Sequence, residues 1–227
     1  HAGYSNGSRY IGEGLPINTW YIKKFAGVNE EGLSTWYYTD QATGKLKPTT
    51  DYSSADYYLG GSPHPDVYGG FGTSVRAYGF DLNISFIYSL GGKAYDNGYE
   101  GMMRNPEPSI APQAYHKDLL NAWTRENPNS NVPRFQYGDL KTTAFSDRFL
   151  IDASTLTFKS ISLGYTFPAQ LIKKLQLSSL RVFLSCDNVA YWSKRKGFDP
   201  RTSLTGNVSD DSYSPMRTAS AGISVKF

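Results

Sequence analysis

Few groups in this 227-residue chain could do covalent chemistry. Its three histidines, His1, His64 and His116, lack the spacing of metal ligands. The single cysteine, Cys186, excludes an intrachain disulfide and a thiolate cluster, and its place in an alternating stretch is that of a small packed residue. No G-x-S-x-G elbow and no phosphate-binding glycine loop is present. The adjacent carboxylates Glu30 and Glu31, and Asp210 and Asp211, stand in polar stretches where solvation accounts for them. A glycosidase pair of carboxylates need not be close in sequence, so that enzymatic alternative stays open. The expectation is a protein without a catalytic site, metal or cofactor. Aromatic rings beside amides and charges are more plentiful. Asn121 to Pro133 carries Trp123, Arg125 and four asparagines, the chemistry of sugar recognition, although a polar loop anchored by one tryptophan has the same composition. Trp36, Tyr37, Tyr95, Trp123 and Arg125 are the candidate ligand-binding positions.

The elements that must position these residues are strands. Only 39% of the residues are apolar, yet 15% are aromatic, with 18 Tyr and 12 Phe. That balance suits aromatic girdles around a wet interior better than a dry globule. A net charge of +3, with Lys and Arg scattered, argues against nucleic acid as a partner. No apolar run reaches the roughly 18 residues of a membrane-spanning helix. The opening His1-Ala-Gly-Tyr has neither the basic start nor the apolar core of a signal peptide, so the expectation is a protein that is not exported, a mature product or a piece of something longer.

The clearest strand is the last. Ala219, Ala221, Ile223, Val225 and Phe227 alternate with Thr218, Ser220, Gly222, Ser224 and Lys226, and about ten residues is the length of a tilted strand crossing a bilayer. Upstream, Phe71 to Leu90 alternates on both sides of Tyr78-Gly79. A two-residue loop there pairs residues whose numbers sum to 157, setting Val75 against Leu82 on an apolar side and Arg76 against Asp81 on a polar one. Leu156 to Phe167 is a strand with a change of parity near Lys159, which marks a bulge or an exit from the membrane. Leu180 to Trp192 is another, closed by Tyr191 and Trp192 as an interface belt would close it. Ile17 to Ala26 is strand-like in composition though poorly alternating, and the pattern predicts a hairpin near Ser34 to Lys47 and a short helix over Gln113 to Thr124.

About six strands result, with long connections near 27–66, 91–153 and 193–217 and short ones at 78–79 and 168–179. Outer-membrane barrels gather their long loops at the extracellular end and their short turns at the periplasmic one. The alternatives of other classes are a soluble carbohydrate-binding β-sandwich and a passive porin. A sandwich stays soluble without detergent, and a porin lacks an upstream plug.

The residues SDRFLIDASTLTFKSISLGYTFP from Ser146, then LSSLRVFLSCDNVAYWSKRKGFDPR and YSPMRTASAGISVKF, resemble the C-terminal barrel region of SusC-like TonB-dependent transporters. LGGSPHPDVYGGF and Gly138 to Leu140 are similar to the same family. The resemblance implies an all-β, antiparallel transmembrane barrel, this chain supplying about the last six strands of roughly 22. It also implies an upstream plug absent from residues 1–227, a SusD-like lipoprotein lid, TonB as energy donor and outer-membrane lipid around the wall. The cargo it implies is glycan or peptide. Six strands fall short of the eight or so that close a membrane barrel, so the rest of the wall is expected upstream or in another chain. Ile223, Val225 and Phe227 are the candidate barrel-assembly residues, and Arg76 and Asp81 the candidate lumen pair.

Overall fold

The structure, a computed structural model, describes residues 2–107, 114–209 and 211–227. His1, Gln113 at the start of the expected helix, and Asp210 lie outside them. In chain order the strands are β1 (Gly3–Asn6), β2 (Arg9–Gly12), β3 (Thr19–Lys23), β4 (Phe25–Val28), β5 (Ser34–Thr39), β6 (Leu46–Thr49) and β7 (Tyr57–Leu59). There follow β8 (Val67–Ala77), β9 (Phe80–Leu90), β10 (Lys93–Asp96), β11 (Leu150–Asp152), β12 (Thr155–Thr166), β13 (Ser179–Ser193), β14 (Asn207–Val208) and β15 (Thr218–Lys226). They divide between two compact units. The first holds His1–His64, Gly92–Asp152 and Ser203–Ser212; the second holds Pro65–Gly91, Ala153–Thr202 and Tyr213–Phe227.

The second unit is one antiparallel sheet in the order β15-β13-β12-β9-β8. Its strands are 9 to 15 residues long, the length a tilted strand needs to span a bilayer. The first hairpin has the expected register, from Val67 opposite Leu90 to Ala77 opposite Phe80. Tyr78 and Gly79 both take positive φ, 51° and 86°, the backbone of a type I′ turn whose twist matches its flanking strands.

Across the sheet the charged side chains keep to one face. Cross-strand rows such as Val75, Leu82, Leu163, Leu184 and Ala221 share one face, on which no charged residue stands. The opposite face carries Ser74, Asn83, Ser162, Ser185 and Ser220 in the corresponding row. The parity change in β12 is a bulge: the register shifts between Phe158 and Ser160, leaving Lys159 as an extra residue against β9. Leu156 and Phe158 thereby join Ile161 and Leu163 on the apolar side. Phe158 stacks on Phe86 at 4.6 Å, and Phe86 on Phe71 at 5.0 Å, so an aromatic ladder crosses three strands.

The first unit differs from the expectation of long loops. Five strands, not six, lie in the continuous sheet, because Ile17 to Ala26 is divided between β3 and β4, which belong to separate small sheets. The poor alternation has a physical reason. In β3, Thr19, Trp20, Ile22 and Lys23 are all buried, so both faces are covered. Trp20, Ile22, Tyr95, Met103 and Phe149 form a core, against which Tyr58, Phe145 and Leu150 pack. The expected hairpin is β5 with β6. The expected helix is only a 3-10 turn over Lys117–Asn121, while Asp96 accepts a hydrogen bond from the Tyr99 amide at 2.8 Å and caps a helix over Asn97–Met102, inside the expected long connection.

In the intact protein, insertion of one alanine between Ser162 and Leu163, where β12 has no bulge to absorb it, sets the two halves of the strand out of phase and should abolish most of the folded, SDS-resistant fraction seen on unheated gels. Lys159→Ser, which keeps the extra residue, should leave it near wild type.

Candidate functional site on the polar face of the sheet

The polar face is rich in short hydroxyl and glycine residues, and two of its long side chains, Arg181 and Phe183, are laid flat along it. Arg181 on β13 reaches across β12 to Asp81 on β9, donating from Nε to Oδ1 at 2.9 Å and from Nη2 to Oδ2 at 2.6 Å. A bidentate pair of this kind fixes orientation as well as charge. The strand in between permits it only because Gly164 stands there, where a Cβ would collide with both the Arg181 guanidinium and the Asp81 carboxylate. Phe183 lies over Gly222 in the same manner, with the Arg181 guanidinium 5.1 Å from its ring centroid. Arg76 faces Asp81 in register, as the hairpin requires, but the ion pair that Asp81 makes is with Arg181. The sequence signal for that partner was a glycine on the polar face between an acid and a base two strands apart.

Toward the other end of the face the chain after β13 folds back over the wall. Ser193 Oγ donates to the Phe198 carbonyl at 2.6 Å. Asp199, almost fully buried, receives Nε and Nη2 of Arg201, each at 2.7 Å. The same guanidinium donates to Thr157 Oγ1 at 3.2 Å and stands 4.2 Å from the Tyr191 ring centroid. Thr157 and Tyr191 are opposite one another on the polar face, so Phe198 to Thr202 covers it there. Burial pushes the Asp199 carboxyl up, but hydrogen bonds from Arg201 and Ser214, with the Arg201 charge, outweigh it and hold the group below the ordinary carboxylate range.

The aromatic candidates all fall in the first unit and are not brought together. Trp36 and Tyr95 are each 1% exposed, Trp36 edge-on to Tyr52 at 5.1 Å and Tyr95 within the core, so their rings are occupied by packing. Tyr37 is half-buried with Lys24 Nζ 5.6 Å from its ring centroid. Trp123 is half-buried, its amide bonded to the Val132 carbonyl at 2.8 Å, and Arg125 is exposed in the turn from Thr124 to Asn127. Ile223 and Val225 lie on the apolar face, exposed, with Phe227 following the strand. Among the described residues no three His, Cys, Asp or Glu side chains gather as metal ligands would. The polar face presents Arg181, Asp81, Phe183 and Arg201 held in fixed positions by these contacts.

Because the folded Asp199 carboxyl ionises below its unfolded value of about 3.9, the clamp contributes fully above that pH and is lost as pH falls through the folded value. Hydrogen exchange at the Arg201 amide, which donates to Asp199 Oδ1 at 3.1 Å, should stay protected from pH 7 to 5 after correction for intrinsic rates and weaken below about pH 4. Asp199→Asn should show low protection throughout.

No protein-family model matches the chain. It is 28% identical over 239 residues to TonB-dependent receptor P3 of Formosa agariphila, covering 97% of this chain and 23% of that one. To TonB-dependent receptor P26 of the same organism it is 26% identical over 242 residues, covering 99% and 24%. Among solved structures, the RagAB peptide transporter superposes with a TM-score of 0.77 at 25% identity, over 96% of this chain and 26% of that one. The RagAB peptide importer in the 'open-open' state gives 0.79 at 26%, over 99% and 24%. The chain thus spans about a quarter of the length of its relatives. With the five-stranded sheet and the motifs from Ser146 onward, its sequence and fold are similar to those of TonB-dependent receptors of the SusC-like kind and fit the C-terminal part of such a barrel.

Proposed function

We propose that this chain supplies wall, lumen surface and loops to a TonB-dependent active transporter of the outer membrane, one that imports oligosaccharide or peptide nutrients. Its partners are the remaining strands and plug of the same barrel, a SusD-like lipoprotein over the mouth, and TonB acting through the plug side. The observation that carries the reading is the sheet. Its apolar face is free of charge and stays exposed, with Leu184 at 62% and Ile223 at 70%. Water does not favour such a surface, and a bilayer does. β8 and β15 pair on one side only, and open edges in lipid are costly, so further strands are needed to close the wall.

All three long connections leave the same end of the sheet, the end of Val67, Leu90, Thr155, Ser193 and Thr218. That asymmetry supports an extracellular position for 27–66, 91–153 and 193–217. The RagAB structures are described as a peptide transporter and a peptide importer, which supports peptide alongside glycan as the cargo class.

Intact cells should take up a fluorescent peptide or oligosaccharide drawn from the organism's growth substrates, and should lose that uptake when either this gene or TonB is removed. Uptake that persists without TonB points to a passive pore and overturns the proposal. Within the assembled protein, Ile84→Arg or Ile223→Arg should cost about 2 to 4 kcal/mol near the bilayer midplane in refolding titrations. Ser85→Arg and Ser224→Arg should be tolerated, and equal costs on the two parities would count against membrane burial.

A further inference from the structure

A shallow trough of about 550 Å³ opens on the apolar face of the sheet. Phe80 and Tyr165 wall it on one side and Ile223 on the other, with Val182 and Ala221 low between them. Register explains the shape. Tyr165, Val182 and Ile223 form one cross-strand row, Leu163, Leu184 and Ala221 the next, and Ile161, Cys186 and Ala219 the one after, so small side chains follow one another beside β13. The trough therefore runs along the strands, in the direction a hydrocarbon chain takes in a bilayer.

The end of the trough nearer the short connections is chemically distinct. Phe80, Tyr165 and Phe167 cluster there, with centroids 4.6 and 5.0 Å apart, as rings do at a membrane interface. Just beyond, the connection between β12 and β13 places Lys173 and Lys174 side by side, both exposed. No acidic residue occurs between Asp152 and Asp187, and Asp187 stands on β13 opposite Ser160, away from this end, so nothing in the connection or in the strand ends flanking it offsets that charge. An apolar channel, an aromatic rim and a paired cation, in that order, match an amphiphile with a hydrocarbon tail and an anionic head.

We propose that the trough and the lysine pair form a binding site for one anionic phospholipid, its acyl chain lying along β13 and its phosphate at Lys173 and Lys174. The proposal rests on the membrane position of the sheet. It is tested on the intact transporter, purified in detergent, stripped of lipid and titrated with phosphatidylglycerol or phosphatidylcholine of identical acyl chains, with bound lipid counted by native mass spectrometry. Phosphatidylglycerol should bind more tightly than phosphatidylcholine. The double change Lys173→Gln with Lys174→Gln should weaken it on the order of thirtyfold, and Ala221→Phe, which fills the trough, should weaken both lipids. Equal affinity of the wild type for the two lipids, undiminished binding in either variant, or displacement of the lipid by inorganic phosphate alone overturns the site. A protein that stays monodisperse without detergent overturns the membrane position itself, an outcome read before any lipid is added.

Discussion

The structure depends on one constraint: every strand of the five-stranded sheet must keep its apolar side chains in phase with its neighbours. Side chains alternate with a period of two, so a slip of one residue would carry a whole strand's apolar set to the wrong face. β8, β9 and β15 satisfy the constraint by plain alternation, but β12 does not. Lys159 puts Thr155 to Phe158 and Ser160 to Thr166 in opposite parity, and bulging that one residue out of the ladder keeps both halves on one face. The cost is a local break in pairing. The return is that Phe158 completes the ladder with Phe86 and Phe71, and the charge-free face runs unbroken from β8 to β15.

Keeping one face apolar leaves the other free to be specific. There the problem is to hold charged side chains still without a core around them. Gly164 solves it for Arg181, whose guanidinium crosses a strand to reach Asp81, and Gly222 solves it for Phe183. Side chains standing upright would be more mobile; flattened ones leave the space above this face open. The Asp199–Arg201 pair acts on the same face from a loop, holding Phe198 to Thr202 down on Tyr191 and Thr157.

Local signals in the sequence carried the sheet well and the first unit badly, for physical reasons. Tyr78-Gly79 is a turn that dictates register by itself, so every pair of the β8–β9 hairpin followed from one dipeptide. Half-buried strands alternate and can be found; β3, covered on both faces, has no alternation to find. The Asp81 partner was beyond a pairwise reading because it sits two strands away, and only the order β13-β12-β9 brings Arg181 to it. Trp36 and Tyr95 look like ligand platforms in a list of loop aromatics. Their burial is set by contacts with Tyr52, Phe145 and Phe149, from 16 to 54 residues distant in the chain.

The high aromatic share therefore has two origins that composition alone merges. In the first unit Trp20, Tyr95 and Phe149 are nearly or wholly buried, and they do what a hydrophobic core does in any compact domain. In the second, Phe71 stacks on Phe86 and Phe80 tilts against Tyr165 across strands, while Phe71 and Phe80 stay exposed. Cross-strand stacking stabilises the sheet laterally, yet it removes little apolar area from water. A five-stranded sheet so built gains most of its hydrophobic stabilisation only when something apolar covers that face and further strands pair with β8 and β15. The first unit carries a core of its own, whereas the second is completed by its surroundings.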